Sequence, residues 1–275
     1  MKLFVSDLDG TLLNSNKEIS KYTKDTLNKL IDNGVNFTVA TARTPATVVD
    51  MLNGVNIKLP AVMMNGVMLY DINQEKYIDI KDISNQTVNQ VLDIFKEDVR
   101  CSFVYGIKDD HLNVYYKDLS NTQEEEFFNE RCHKKQKTFV KVSDYKEAIK
   151  GSKIINFIIF DKYEPCKKIY DKLQGIEGIN VDLYQDIYAD EDDYGIEIYS
   201  DKASKANGIK LLDKYVANTS LVCFGDNIND IPMFKVADEA YAVENAVEEL
   251  KDLATGVIGS NNDNAVAKFI NEQIK

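Results

Sequence analysis

Lys2-Leu3-Phe4-Val5-Ser6-Asp7-Leu8-Asp9-Gly10-Thr11-Leu12 is the stretch from which the fold can be read. Its first half is a short apolar run of strand length, and its second half is a turn carrying two carboxylates. The carboxylates therefore leave the carboxyl end of a buried strand, the edge where open parallel sheets bind ligands. Downstream, Asn16–Asn33 reads as a helix with apolar positions Ile19, Tyr22, Leu27, Leu30 and Ile31, ended by Gly34. Val35–Ala40 reads as a second strand, a helix through Val48, Val49 and Leu52 follows, and Ala61–Met64 is a third apolar run. Strand, helix, strand, helix, strand implies right-handed crossovers and a parallel sheet.

Near Asp82 the texture changes. To about Ser200 the strands are longer and alternate, as in Leu112–Tyr116, Ile154–Phe160 and Tyr194–Tyr199. Helices are expected around Thr87–Lys96, Gln123–Lys135 and Pro165–Leu173, which suggests an antiparallel sheet with one polar face. After Lys202 the first texture returns: a helix through Ile209, Leu211, Leu212 and Tyr215, then strand Ser220–Phe224. A helix near Asp230–Lys235, strand Glu239–Ala242 and helix Asn264–Ile274 finish the chain. The expected fold class is α/β, with a doubly wound, Rossmann-like parallel-sheet core at 1–82 and 201–275. An α/β cap domain at 83–200 interrupts it, with hinges near Asp82 and Ser200.

The chain has 275 residues and a net charge of −12. Such a surface repels nucleic acid and anionic lipid, so neither is an expected partner, and any anion site must carry its own cations. Cys101, Cys132, Cys166 and Cys223 show no CxxC spacing, and His111 and His133 do not complete a zinc site. No apolar run approaches the roughly 18 residues of a membrane span, and Lys2–Ser6 is too short for a signal-peptide core. The expected location is cytoplasmic, with reduced thiols.

Four places in the chain could carry chemistry: the turns at Asp7, Thr41 and Asp226, and the helix start at Lys205. Asp7 and Asp9 can serve as a nucleophile and a general acid–base for phosphoryl transfer, although Asp and Gly are also ordinary turn residues. Gly225-Asp226-Asn227-Ile228-Asn229-Asp230 follows the apolar strand Leu221–Phe224, and Asp226 beside Asp7 would suit Mg²⁺, which takes oxygen ligands. Read alone, this second turn is also a helix cap rich in Asp and Asn. Thr41, just past the second strand, offers a hydroxyl and backbone amides to a phosphoryl group. Arg43, one of three arginines, and Lys205 offer cations, though each residue type is ordinarily found at the surface. Together the four positions supply the nucleophile, metal, cation and hydroxyl that phosphoryl transfer requires.

In order and placement they resemble the haloacid dehalogenase superfamily, over nearly the whole chain. The position of the inserted module resembles the Cof-type phosphatase branch with its α/β cap. Asn65-Gly66 matches a loop of that branch which lines the phosphate site. The resemblance implies that Asp7 is the nucleophile and Asp9 the acid–base. Thr41, Arg43, Asn65, Gly66, Lys205 and Asn229 would hold substrate. Asp7, Asp9 through its carbonyl, Asp226 and Asp230 would hold or support Mg²⁺. Two departures are local: Lys205-Ala206 stands where the branch has Lys-Gly, and Asp263-Asn264-Ala265-Val266 where it has Asp-Gly-Val. The implied activity is Mg²⁺-dependent hydrolysis of a small phosphorylated metabolite, such as a sugar phosphate. The alternatives are a phosphomutase or a sensor that binds without turnover. Tyr105, Tyr115, Tyr184 and Tyr188 are cap tyrosines that could meet a leaving group or could simply be sheet residues.

Overall fold

The computed structural model describes residues 2–97, 101–185, 192–216 and 220–274. The first segment contains β1 (Lys2–Ser6), α1 (Lys21–Asp32), β2 (Asn36–Val39), α2 (Pro45–Met51), β3 (Ala61–Met63), β4 (Met68–Asp71) and β5 (Lys76–Ile80). Next come α3 (Asn85–Glu97), β6 (Phe103–Lys108), β7 (His111–Tyr116), α4 (Thr122–Arg131) and β8 (Lys137–Lys141). They are followed by α5 (Tyr145–Ala148), β9 (Lys153–Lys162), α6 (Tyr163–Leu173), β10 (Ile179–Gln185) and β11 (Asp193–Ser200). The chain then continues with α7 (Lys205–Lys210), β12 (Ser220–Gly225), α8 (Ile231–Phe234), β13 (Glu239–Val243), α9 (Glu248–Lys251), β14 (Gly256–Ile258) and α10 (Ala265–Gln273). The chain divides into two compact units, Met1–Ile80 with Ala203–Lys275, and Lys81–Lys202.

In the first unit the described strands form a parallel sheet ordered β14-β13-β12-β1-β2. The register sets Ser6 beside Phe224 and beside Val39, so the turns after β1, β12 and β2 all leave from one edge. Phe4, Val5, Val222, Cys223 and Phe224 have no exposed surface. A strand covered on both faces needs such a continuous apolar run. The third apolar run departs from the expectation of a third parallel strand. β3 pairs antiparallel with β4 in a separate sheet, β3-β4-β5, and is joined to the main sheet by a parallel bridge from Ala40 to Val62.

Helix α1 also begins later than its apolar pattern suggests, because the Ser20 side chain caps it by accepting from the Thr23 amide. The buried stripe is Thr23, Leu27, Leu30 and Ile31, which leaves Tyr22 exposed and Ile19 outside the helix. Asn264, at one of the motif departures, takes the left-handed conformation before α10 (φ 60°) and accepts hydrogen bonds from Ser20 and Thr23. Asparagine is one of the few residues that adopts this conformation readily.

In the second unit the sheet runs β10-β11-β9-β6-β7-β8. Its pairs are antiparallel except β7–β8, which is parallel because α4 carries the chain across between them. One face is buried under α3, α5 and α6: Val91, Ile149 and Ile169 pack against Val104, Phe157 and Ile196. The opposite face is less polar than alternation alone predicts. There Phe103 meets Phe127 of α4 at 4.8 Å between ring centres, and Phe139 meets Phe128 at 5.1 Å. Helix α4 therefore covers part of the face that the sequence pattern leaves to solvent. Among the described residues no helix is long and apolar enough to cross a membrane, and all four cysteines are free thiols.

Candidate active site

Asp7 follows β1 directly, and its amide donates to the Phe224 carbonyl at 2.9 Å. This continues the ladder one residue past β1, so the Asp7 and Asp226 turns run side by side. Gly10, at φ 73°, turns the chain back toward Asp226. A Cβ at Gly10 would come to 2.4 Å of Asp226 Oδ2, so glycine is required both for the conformation and for the close approach. Thr11 Oγ1 then donates to Asp226 Oδ1 at 3.0 Å.

Lys205 opens α7 with its side chain 1% exposed. Its Nζ donates to Asp7 Oδ1 and to Asp230 Oδ1, each at 2.5 Å. The second oxygen of Asp230 accepts the amides of Asp226 (2.9 Å) and Asn227 (3.2 Å), which shapes that turn from within. Asp230 is wholly buried and Asp7 is 5% exposed.

Asp7, Asp226 and Asp230 each offer a carboxylate oxygen, and these atoms lie within 4.8 Å of one another. One buried ammonium thus faces three acids. Burial pushes the Asp7 carboxyl up to about 8 against the pull of Lys205, with the Asp230 and Asp226 charges adding to the rise. Burial, then Asp230, pushes Asp226 up to about 6. For Lys205, burial works downward, but Asp7 and Asp230 outweigh it and hold the ammonium protonated. The cluster is short of positive charge and built from hard oxygen donors, which fits a small divalent cation such as Mg²⁺.

Asp9 stands apart from this cluster. Arg43 Nε donates to Asp9 Oδ2 (2.5 Å) and Nη2 to Oδ1 (2.6 Å), a bidentate pair with both side chains partly exposed. Its carboxylate is therefore engaged by arginine. Arg43, expected to bind substrate, is in the structure the partner of the acid–base candidate.

Thr41 is 1% exposed. Its amide donates to Val62 O, its carbonyl accepts the Asn65 amide, and Oγ1 accepts the Arg43 amide at 3.2 Å. The hydroxyl proton remains available to a phosphoryl oxygen. Asn65 is left-handed (φ 51°) and accepts from Asn229 Nδ2 at 3.4 Å, which joins two of the expected substrate loops. Gly66 (φ 92°) sits where a Cβ would come to 2.0 Å of the Ser204 carbonyl. That contact sets the loop against the residue preceding Lys205.

Of the cap tyrosines, Tyr115 lies on the helix-packed face and hydrogen-bonds Ser152. Tyr105 is buried and Tyr184 lies across Gly195. Tyr188 falls outside the described residues. Two residues near the acidic turns have no place in the motif reading. Asn245 Nδ2 donates to the Gly10 carbonyl (2.8 Å), and Asn261 Nδ2 donates to the Leu13 carbonyl (2.9 Å). Asn245 lies two residues past the end of β13, so the strand-end rule that singled out Asp7 and Asp226 applies to it as well. Asn261 carries no comparable sequence signal.

The family model of haloacid dehalogenase-like hydrolases matches residues 4–270. A curated relative, the 5-amino-6-(5-phospho-D-ribitylamino)uracil phosphatase YwtE of Bacillus subtilis (strain 168), is 28% identical, with 99% of this chain and 98% of the relative covered. Among solved structures, TM0651 from Thermotoga maritima superposes with a TM-score of 0.78 at 22% identity, over 100% of this chain and 97% of its own. The HAD subclass IIB sugar phosphatase BT4131 gives 0.73 at 19% identity, over 99% of each chain. At these identities the solved structures bear on the fold alone.

Proposed function

Because this chain belongs to the haloacid dehalogenase-like hydrolases, in their Cof-type branch, and is an enzyme of their phosphatase class, we propose that it hydrolyses a small phosphomonoester through an aspartyl-phosphate on Asp7, with Mg²⁺. The observation that carries this reading is the buried Asp7–Lys205–Asp230 chain beside Asp226, at the strand edge where both acidic turns emerge.

Asp7, Asp226 and Asp230 would hold the cation, with Asp9 contributing its carbonyl. The bound cation would offset the charge of the acids and of the phosphoryl group. Lys205 holds Asp7 through Oδ1, leaving the other oxygen as the nucleophile. That oxygen attacks phosphorus, the bond from phosphorus to the ester oxygen breaks, and Asp9, entering this step protonated with one oxygen released from Arg43, gives its proton to the departing alkoxide. Asp9 then takes a proton from water, whose oxygen attacks phosphorus and releases Asp7 and inorganic phosphate. The Thr41 hydroxyl and the Asn65-Gly66 turn, tied to Asn229, would bind the phosphoryl oxygens. Arg43 orients the Asp9 carboxylate between the two half-reactions.

The phosphorylated ribitylaminouracil named for YwtE is one candidate substrate, and sugar phosphates, the class suggested by the family resemblance, are another. The test is phosphate release from p-nitrophenyl phosphate and a panel of these compounds, with Mg²⁺ and with EDTA, for wild type and Asp7→Asn. Hydrolysis that needs both Mg²⁺ and Asp7 is the expected result, with a fall of at least about 1,000-fold in the variant. Undiminished turnover by Asp7→Asn would refute the covalent route.

A further inference from the structure

We infer that Asn245 and Asn261 are positioning residues that hold the two acidic turns at the separation a divalent cation needs, an inference resting on the metal-dependent reading above. The segment just past β13 bonds to both turns. Asn245 Nδ2 donates to the Gly10 carbonyl at 2.8 Å, and two residues later the Val247 amide donates to the Asp226 carbonyl at 2.9 Å. The Gly10 turn carries Asp7 and Asp9, and the other turn carries Asp226 and Asp230. Like charges at such close quarters drive the turns apart, and the approach of Gly10 to Asp226 leaves no room for a Cβ. A segment bonded to one carbonyl on each turn opposes that separation.

Asn261 sets the orientation of Asn245. Its backbone amide, which Asn261→Ala keeps, donates to Asn245 Oδ1 at 3.0 Å and leaves Nδ2 of Asn245 as the group facing Gly10. Its own Nδ2 donates to the Leu13 carbonyl, at the far end of the same turn. Asn261 is only 6% exposed, so after Asn261→Ala the Leu13 carbonyl has little water to replace the lost side-chain amide. An amide side chain is needed at Asn245 because one end must accept while the other donates. Neighbouring Asn262 provides a control. It binds the amide and hydroxyl of Ser15 at 3.0 Å each, beyond the acidic turn.

Full-length Asn245→Ala, Asn261→Ala and Asn262→Ala would be compared with wild type by calorimetric titration with MgCl₂, by melting in EDTA, and by kcat and KM on p-nitrophenyl phosphate. Outer-shell groups of this kind change metal affinity roughly 10- to 100-fold. The first two variants are expected to weaken Mg²⁺ binding in that range and to lower kcat, with KM at saturating Mg²⁺ nearly unchanged. Asn262→Ala should bind Mg²⁺ as wild type does. Wild-type Mg²⁺ affinity in Asn245→Ala, or an equal loss in Asn262→Ala, overturns the inference. Should Asn261→Ala fail to fold, the exposed Asn245 decides alone. Calorimetry reads the cation without turnover, so a protein that binds Mg²⁺ but hydrolyses nothing would refute the hydrolytic reading while still testing the brace.

Discussion

At the scale of the residue, the site turns on a charge imbalance around Lys205. Its ammonium is buried between Asp7 and Asp230, and removing it by Lys205→Met would leave two buried acids without their counter-ion. Losing one partner of a buried pair costs about 3–5 kcal/mol, so this variant should melt well below wild type in EDTA. Mg²⁺ should recover part of the loss. The raised acids also predict a pH dependence. A carboxyl whose folded pKa lies above its unfolded value stabilises the fold fully below the unfolded value and loses that contribution as pH rises through the folded one. For Asp226 and Asp7 the loss runs from near 4 up to about 6 and about 8 respectively. Protons compete with the cation over the same range, so the gain in melting temperature from saturating Mg²⁺ should be larger at pH 8 than at pH 5. Equal gains at the two pH values would contradict this account of the cluster. At Asp9, substitution by Asn should cost roughly 100- to 10,000-fold in kcat, the usual range for a general acid–base.

At the scale of the element, two contacts show how loops and strands constrain the chemistry. The turn at Asn65-Gly66 presses on the Ser204 carbonyl, the residue that caps α7 and precedes Lys205. Gly66→Ala would combine a left-handed alanine with a backbone overlap. A loss of at least about 2 kcal/mol is expected in a denaturant titration, with kcat falling because Lys205 moves with the turn. In the second unit, Glu197 of β11 pairs across the ladder with Asp182 and hydrogen-bonds Asn156. Burial, then the Asp182 charge, pushes Glu197 up to about 7 from an ordinary 4.5. The shift is upward, so its contribution is full below pH 4.5 and fades as pH rises through 7, by at most roughly 3 kcal/mol. Glu197→Gln should flatten that part of the melting-versus-pH curve; a variant with the wild-type slope would show that other groups produce it.

At the scale of the whole molecule, the first unit is assembled from both ends of the chain, while the second is continuous and has its own core. β1 lies between β12 and β2, so residues 1–80 alone lack the neighbour that covers one edge of β1. Residues 81–202 expressed alone are expected to melt cooperatively by circular dichroism, and residues 1–80 alone are not. Much of this organisation is legible in the chain itself. The apolar runs at Phe4-Val5 and Val222-Cys223-Phe224, each followed at once by an acidic turn, specify buried parallel strands and the edge from which Asp7 and Asp226 emerge. A change of texture is readable near Asp82, and the second compact unit begins at Lys81. The hairpin β4–β5 is far less legible, because Lys76–Ile80 is too polar and too exposed for period alone to distinguish it from a loop. Runs and alternation are local properties, set by which faces a segment must bury, so a sequence carries them openly. The bidentate hold of Arg43 on Asp9, the contact of Gly66 with Ser204, and the bonds of Asn245 to Gly10 and Asn261 to Leu13 are different in kind. They join positions 34 to 248 residues apart, and only the folded sheet brings their atoms within reach. Composition and spacing along the chain hold no record of such distances. The candidate chemistry was therefore readable from residues at strand ends, and the support that places it was decided by tertiary structure.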